Sequence, residues 1–172
     1  LIAMVSLVIV SHSERLAEGV KELADQMTLL LPENHVQTRD EAKKTECQAP
    51  RIVAIGGGIE DDHGCESVYE DRQEDRQIVL GTSAEQIKEA IESVWTTDGV
   101  AILADLGGSI LNTTLALDLL PDDIRESCII CNAPLVEGAV AAAVEASLGC
   151  RLEEIVQAAE AARFFDKITN VS

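Results

Sequence analysis

Apolar and polar positions along the chain fall into short unbroken apolar runs that close on small or polar residues, separated by stretches of helical period. Four runs have this form. Leu7-Val8-Ile9-Val10 precedes Ser11-His12-Ser13-Glu14, and residues 51–55 precede Gly56-Gly57-Gly58. Residues 100–104 precede Asp105-Leu106-Gly107-Gly108, and residues 128–131 precede Asn132-Ala133-Pro134. Runs of this length without alternation are the pattern of strands buried on both faces of a parallel sheet.

After the first run, Leu16, Val20, Leu23 and Met27 recur at helical intervals. Ser11 and Glu14 have the spacing of a capping box, so a helix is predicted to begin at or beside His12. Helices are also predicted over residues 84–95 behind Thr82-Ser83, 109–120 ending at Pro121, 136–148 ending at Gly149, and 152–165. Strands alternating with helices predict an α/β fold: a three-layer α/β/α arrangement on a mainly parallel sheet of about four strands, in one domain over residues 1–172. Two polar, acidic stretches, residues 31–50 and 60–77, are read as long loops.

Composition narrows the partners. With 31 acidic and 13 basic side chains the formal charge is -18, which repels a phosphate backbone and argues against nucleic acid and anionic membranes. Aromatic residues make up 2% of the chain, too few for stacking platforms, so aliphatic side chains carry the packing. The longest apolar run, residues 1–10, is far shorter than the ~20 residues of a spanning helix. The five cysteines, Cys47, Cys65, Cys128, Cys131 and Cys150, form an odd, scattered set that fits a reducing cytoplasm better than a disulfide framework.

In a doubly wound sheet, ligands sit at the C-terminal ends of the strands. Those ends carry one imidazole, one carboxylate and several small residues. At a helix start, partial positive charge favours a neutral His12 ring, and unpaired N–H groups there would receive a phosphoryl group. A histidine in that position equally serves as a cap or packing residue. Asp105 would hydrogen-bond one ring nitrogen and leave the other to attack, or it would merely cap the next helix. Gly57, Gly107, Gly108, Ser13 and Ser109 are the candidates for contacting a phosphoryl group.

Other motifs carry less. The glycine triplet fails the dinucleotide pattern at Asp61, and no Gly-Lys-Ser/Thr supports a P-loop. Cys128 and Cys131 have CxxC spacing but, within a strand, point to opposite faces and cannot chelate one ion. His35 and His63 stand isolated in acidic stretches, so no metal site is expected; Glu60-Asp61-Asp62 beside His63 reads as solvated charge. A receiver domain would need an acidic pair after the first strand and a lysine after the last, and both are missing.

Three segments, in order, resemble the phosphotransfer (M) subunit of PEP-dependent dihydroxyacetone kinase, built on the mannose-family enzyme IIA fold. They are Val8-Ile9-Val10-Ser11-His12-Ser13 with Leu16-Ala17-Glu18-Gly19-Val20, then Gly81-Thr82-Ser83 with Ile87 and Ala90-Ile91-Glu92-Ser93, and Ala133-Pro134-Leu135-Val136-Glu137-Gly138. Asp105-Leu106-Gly107 is similar to the family's Asp-Leu-Gly turn, although Gly108 separates it from Ser109. The resemblance implies that His12 accepts a phosphoryl group from the phosphocarrier HPr and passes it to ADP held by the kinase L subunit, with no cofactor or metal. It also implies a homodimer. Because the chain ends soon after its last helix, an external donor is expected. An enzyme IIA domain of a mannose-type sugar transporter is the nearest alternative, but Ile110 stands where those domains tend to have proline after Gly-Gly-Ser. A regulatory module that keeps the fold without transferring phosphate is another.

Overall fold

The computed structural model describes residues 3–29, 49–57, 68–70 and 77–168. Four parallel strands, β1 (Ser6–Ser11), β2 (Ile52–Gly56), β5 (Val100–Ala104) and β6 (Cys128–Ile130), form one sheet in the order β2-β1-β5-β6. Between them run the helices α1 (Glu14–Leu29), α2 (Ala84–Val94), α3 (Gly107–Asp118), the single turn α4 (Asp122–Arg125), α5 (Leu135–Ser147) and α6 (Leu152–Ala161). The three-layer α/β/α fold expected from the apolar runs is therefore present, with all four main-sheet strands parallel.

Alternation along β1 and β5 explains the two cores. Leu7, Ile9, Ala101 and Leu103 pack under α1, α5 and α6. Val8, Val10, Val100, Ile102 and Ala104 pack under α2 and α3. Every residue of β1 and β5 is buried, which is why neither strand shows a polar face in the sequence.

Two expectations need correction, the loop over residues 60–77 and the cap of α1. The stretch over residues 60–77 is not all loop: β3 (Val68–Glu70) pairs antiparallel with β4 (Gln77–Val79). Three-residue strands are too short to show a period. The rest of that stretch, and nearly all of residues 31–50, lie outside the described residues. Helix α1 begins at Glu14, beside His12 as expected, but with a different cap. Ser13 caps it, its Oγ accepting the Leu16 N–H at 3.3 Å, while Ser11 is drawn elsewhere and the Ser11–Glu14 box does not form. The buried stripe of α1 is Ala17, Val20 and Ala24, whereas Leu16, Leu23 and Met27 stay 38–44% exposed. Small side chains on α1 meet Ala139, Ala142, Ala143 and Ala146 of α5, and this close approach leaves the larger residues outside the seam.

The end of β2 is held tightly under the β1–α1 turn. A Cβ on Gly56 would lie 2.7 Å from the Glu14 nitrogen and 2.8 Å from the Ser11 carbonyl oxygen, so only glycine fits there.

Candidate functional site

From β1 the sheet grows to β2 on one side and to β5 and β6 on the other, so the crevice between the ends of β1 and β5 is a switch point of the doubly wound kind. Val10 pairs with Ala104 in register, and the Asp105 N–H donates to the Val10 carbonyl at 3.1 Å. Ser11-His12 and Asp105 are thus fixed side by side by sheet pairing, although they lie more than 90 residues apart.

Asp105 is the hub. Its Oδ2 accepts the His12 backbone N–H at 2.9 Å and the Ser11 hydroxyl at 2.8 Å. Its Oδ1 accepts the Leu106 N–H at 2.6 Å and the Ser109 hydroxyl at 2.5 Å, and stands 3.0 Å from His12 Nδ1. Burial pushes the carboxyl pKa upward, but hydrogen bonds from Ser109, the His12 N–H, Ser11 and the Leu106 N–H outweigh it and hold the group far below the ordinary carboxylate range.

An ionised carboxylate only accepts hydrogen bonds, so Nδ1 must carry the ring proton. Ser109 Oγ, 3.0 Å from Nδ1, has spent its own hydrogen on Asp105 and offers Nδ1 a second acceptor. In the neutral ring Nε2 then keeps a free lone pair. That nitrogen faces the first turn of α3: a Cβ built on Gly108 would lie 2.7 Å from Nε2. The opening N–H groups of α3, from Gly107, Gly108 and Ser109, have no intrahelical acceptors. The imidazole is 32% exposed, open to an incoming group while anchored behind.

His12, Asp105, Gly108 and Ser109 are brought together, and Gly107 opens the same helix in free space. The Ser109 hydroxyl is fully buried on the Nδ1 side, committed to Asp105, so its contact is with the ring support rather than with a group on Nε2. The Ser13 hydroxyl caps α1 and its N–H is bonded to Ser11 Oγ at 3.0 Å, which leaves little of it for a ligand. Gly57, with φ 86°, follows the β2 residue paired with Ser11 and sits at the neighbouring strand end. Ser11 was not among the sequence candidates. A polar residue closing the apolar run over residues 7–10 of a fully buried strand was the available signal.

The cysteine pair behaves as strand geometry predicts. Cys131 packs in the core beneath α1, α5 and α6, while Cys128 faces the opposite core. Burial pushes the thiols of Cys128 and Cys131 up to about 11 and about 12; burial and then Glu145 push Cys150 up to about 12. At pH 8 all three are thiols and poor nucleophiles. Peptide mapping after iodoacetamide treatment of the native protein is expected to find them unmodified, with full labelling in denaturant. Among the described residues no group of three or more His, Cys, Asp and Glu side chains could hold a metal ion. Cys47, Cys65, His35 and the Glu60–His63 acidic stretch lie outside the described residues. No described helix is long and apolar enough to cross a membrane.

The fold and this site can be set beside known proteins. Residues 73–156 match the model of the EIIA-man family, described as the PTS system fructose IIA component. That segment contains Asp105 and residues 107–109, and it begins after His12. Among curated proteins the chain is similar to DhaM, the phosphoryl donor subunit of PEP-dependent dihydroxyacetone kinase, of Escherichia coli strain K12: 38% identical over 153 residues, covering 89% of this chain and 26% of that protein. A second relative is the phosphoryl donor subunit DhaM of PEP-dependent dihydroxyacetone kinase 2 of Listeria innocua, 29% identical, with 90% of this chain and 95% of the relative covered. The chain thus spans about a quarter of the length of the Escherichia coli relative and nearly all of the Listeria one. A solved structure described as an unknown function protein, EF1359, superimposes with a TM-score of 0.63 at 27% identity, over 91% of this chain and 92% of its own.

Proposed function

We propose that residues 1–172 act as a single phosphohistidine relay domain of a PEP-dependent dihydroxyacetone kinase in the cytoplasm. It takes a phosphoryl group from HPr on His12 and delivers it to ADP on the kinase L subunit. The observation that carries this reading is the His12 imidazole, pinned through Nδ1 by Asp105 with Nε2 turned toward the N-terminus of α3. The similarity to relatives named as phosphoryl donor subunits of PEP-dependent dihydroxyacetone kinase supports the reading, and HPr, ADP and the L subunit are part of the proposal.

Each step balances without a metal. The Nε2 lone pair forms a bond to phosphorus as the donor's N–P bond breaks, its electrons returning to the donor ring. Attack by the ADP terminal phosphate oxygen then forms ATP and restores the His12 lone pair. Asp105 stabilises the positive charge that the ring acquires while both its nitrogens are substituted, and Ser11 and Ser109 hold Asp105 in place. N–H groups of Gly107 and Gly108 face the transferring oxygens as they would any anion at a helix start, with Gly57 at the crevice edge.

Partner docking fits the surface around the imidazole. Leu106 is 64% exposed beside the site, and Glu14, Glu18 and Glu22 line the exposed side of α1, so the complement is an apolar centre with a basic rim. A homodimer belongs to the same proposal; it would cover the apolar row of Leu111 and Leu115 on α3 and Leu119 at its C-cap.

The test is transfer of labelled phosphate from PEP through enzyme I and HPr, followed by a chase. Acid-labile label that maps to His12 and leaves as ATP on addition of L subunit and ADP is the expected result. Label released only to a IIB domain would make the chain a sugar-transporter IIA domain. A protein that takes no label would be a regulatory module on the same fold.

A further inference from the structure

Asp105 holds the His12 ring and its backbone N–H, but the His12 carbonyl is held by a second set of bonds that the relay chemistry does not itself require. The His12 carbonyl accepts the Gly81 N–H at 2.9 Å. Thr82, the next residue, is gripped from α3: Asn112 Nδ2 donates to the Thr82 carbonyl at 2.9 Å and to Thr82 Oγ1 at 2.6 Å. Ser83 then caps α2 through the Gln86 N–H at 3.5 Å. Residues 81–83 therefore tie three elements together: the turn carrying His12, helix α3 whose first turn faces Nε2, and helix α2.

We infer that Asn112 and Thr82 are positioning residues for phosphoryl transfer, setting the distance between the His12 ring and the N-terminus of α3. The inference rests on the relay reading above. The geometry gives the clamp its purpose. Asn112 lies one turn beyond Gly108 on the same helix, so its grip on Thr82, passed through Gly81 to the His12 carbonyl, joins the body of α3 to the histidine main chain. Asp105 alone would leave this link to one carboxylate at the mouth of the crevice. With both links, the ring and the N–H groups move as one body. Transfer between two imidazoles is sensitive to such placement, since a misplacement of about 1 Å costs on the order of 10²-fold in rate.

The chemistry of the clamp also fixes which substitutions break it. Both Asn112 bonds use its NH₂ group as donor toward oxygens. Asn112→Asp sets an acceptor against the Thr82 carbonyl, which repels it, while Asn112→Ala only removes the bond. Thr82→Val keeps shape and the carbonyl but deletes the hydroxyl, whereas Thr82→Ser retains that acceptor.

The experiment measures phosphoryl uptake from phosphorylated HPr at a temperature where every variant is folded by circular dichroism. Asn112→Asp is expected to lower kcat roughly 10- to 10²-fold with KM for HPr unchanged. Asn112→Ala and Thr82→Val fall less, and Thr82→Ser falls least. Thr114→Ala, an exposed change on the same helix, leaves the rate as it is. Equal kcat in Asn112→Asp and wild type overturns the inference, as does a change confined to KM. If wild type takes no phosphate from HPr, the relay reading fails, and the clamp is then read from the reaction of His12 with potassium phosphoramidate. Slower modification of Asn112→Asp at Nε2 supports the positioning role, and equal rates overturn it.

Discussion

Asp105→Asn is expected to fold yet accept phosphate from HPr roughly 10²- to 10³-fold more slowly, the usual cost of losing one preorganised electrostatic contact. Five donors converge on the two oxygens of Asp105. An amide cannot satisfy them all. If its NH₂ replaces Oδ2, the His12 N–H meets another donor; if it replaces Oδ1, the Leu106 N–H and His12 Nδ1 lose their acceptor. In the second arrangement the ring proton moves to Nε2, and the nucleophile becomes a donor. In either, the countercharge to the phosphorylated ring is gone. Each orphaned donor costs about 1–3 kcal/mol, so urea unfolding at pH 7 should show a clear loss of stability. The acid dependence follows from the sign of the shift. Because the folded pKa is depressed, the carboxylate's contribution is fully present above the unfolded value of about 3.9 and is lost as pH falls toward the folded one. The gap in stability between wild type and Asp105→Asn is therefore expected to narrow below pH 4. Transfer rates that match wild type in the variant would remove Asp105 from the mechanism.

Much of this site was legible in the sequence because the fold that builds it is simple. Continuous apolar runs gave β1, β2, β5 and β6 to within a residue or two, since strands buried on both faces must be apolar throughout. Once those four strands were placed in one parallel sheet, His12 and Asp105 fell at the same sheet edge, and it is the adjacency of β1 and β5 that brings them together. What stayed hidden was side-chain choice. Ser11 had the right spacing for a capping box with Glu14, yet the half-buried Asp105 carboxylate competed for its hydroxyl and won, leaving Ser13 to cap α1. Ser109 read as a phosphate ligand, but one turn of helix carries its hydroxyl back beneath the ring to the Nδ1 side. Both outcomes depend on the Asp105 oxygens in three dimensions, which no local pattern encodes. Likewise Leu16, Leu23 and Met27 had helical period, but the alanine seam between α1 and α5 decided which stripe was buried.

Gly108→Ala separates the geometry of transfer from the stability of the fold. An added Cβ would sit 2.7 Å from His12 Nε2 and 3.3 Å from Cε1, closer than van der Waals contact allows. The ring has two ways to yield. It can swing away, which breaks its 3.0 Å contact with Asp105, or the first turn of α3 can back off, which withdraws the N–H groups meant for the phosphoryl oxygens. Both separate Nε2 from the N–H groups where phosphorus must arrive. The backbone has no objection, because Gly108 is helical, and alanine gains up to about 1 kcal/mol over glycine in a helix. That gain offsets the crowding, so a melting temperature within a few degrees of wild type is expected beside a fall in phosphate uptake of at least about 10²-fold. Gly19→Ala on the exposed side of α1 is the matched control: its Cβ meets nothing within 4 Å, so it takes the helical gain and keeps the rate. The nitrogen-15 shifts of the His12 ring report the cause directly. A ring that keeps its proton on Nδ1 while uptake collapses locates the damage at the N-terminus of α3, and a changed proton distribution locates it at Asp105. Uptake at the wild-type rate would mean that phosphorus does not arrive through Nε2.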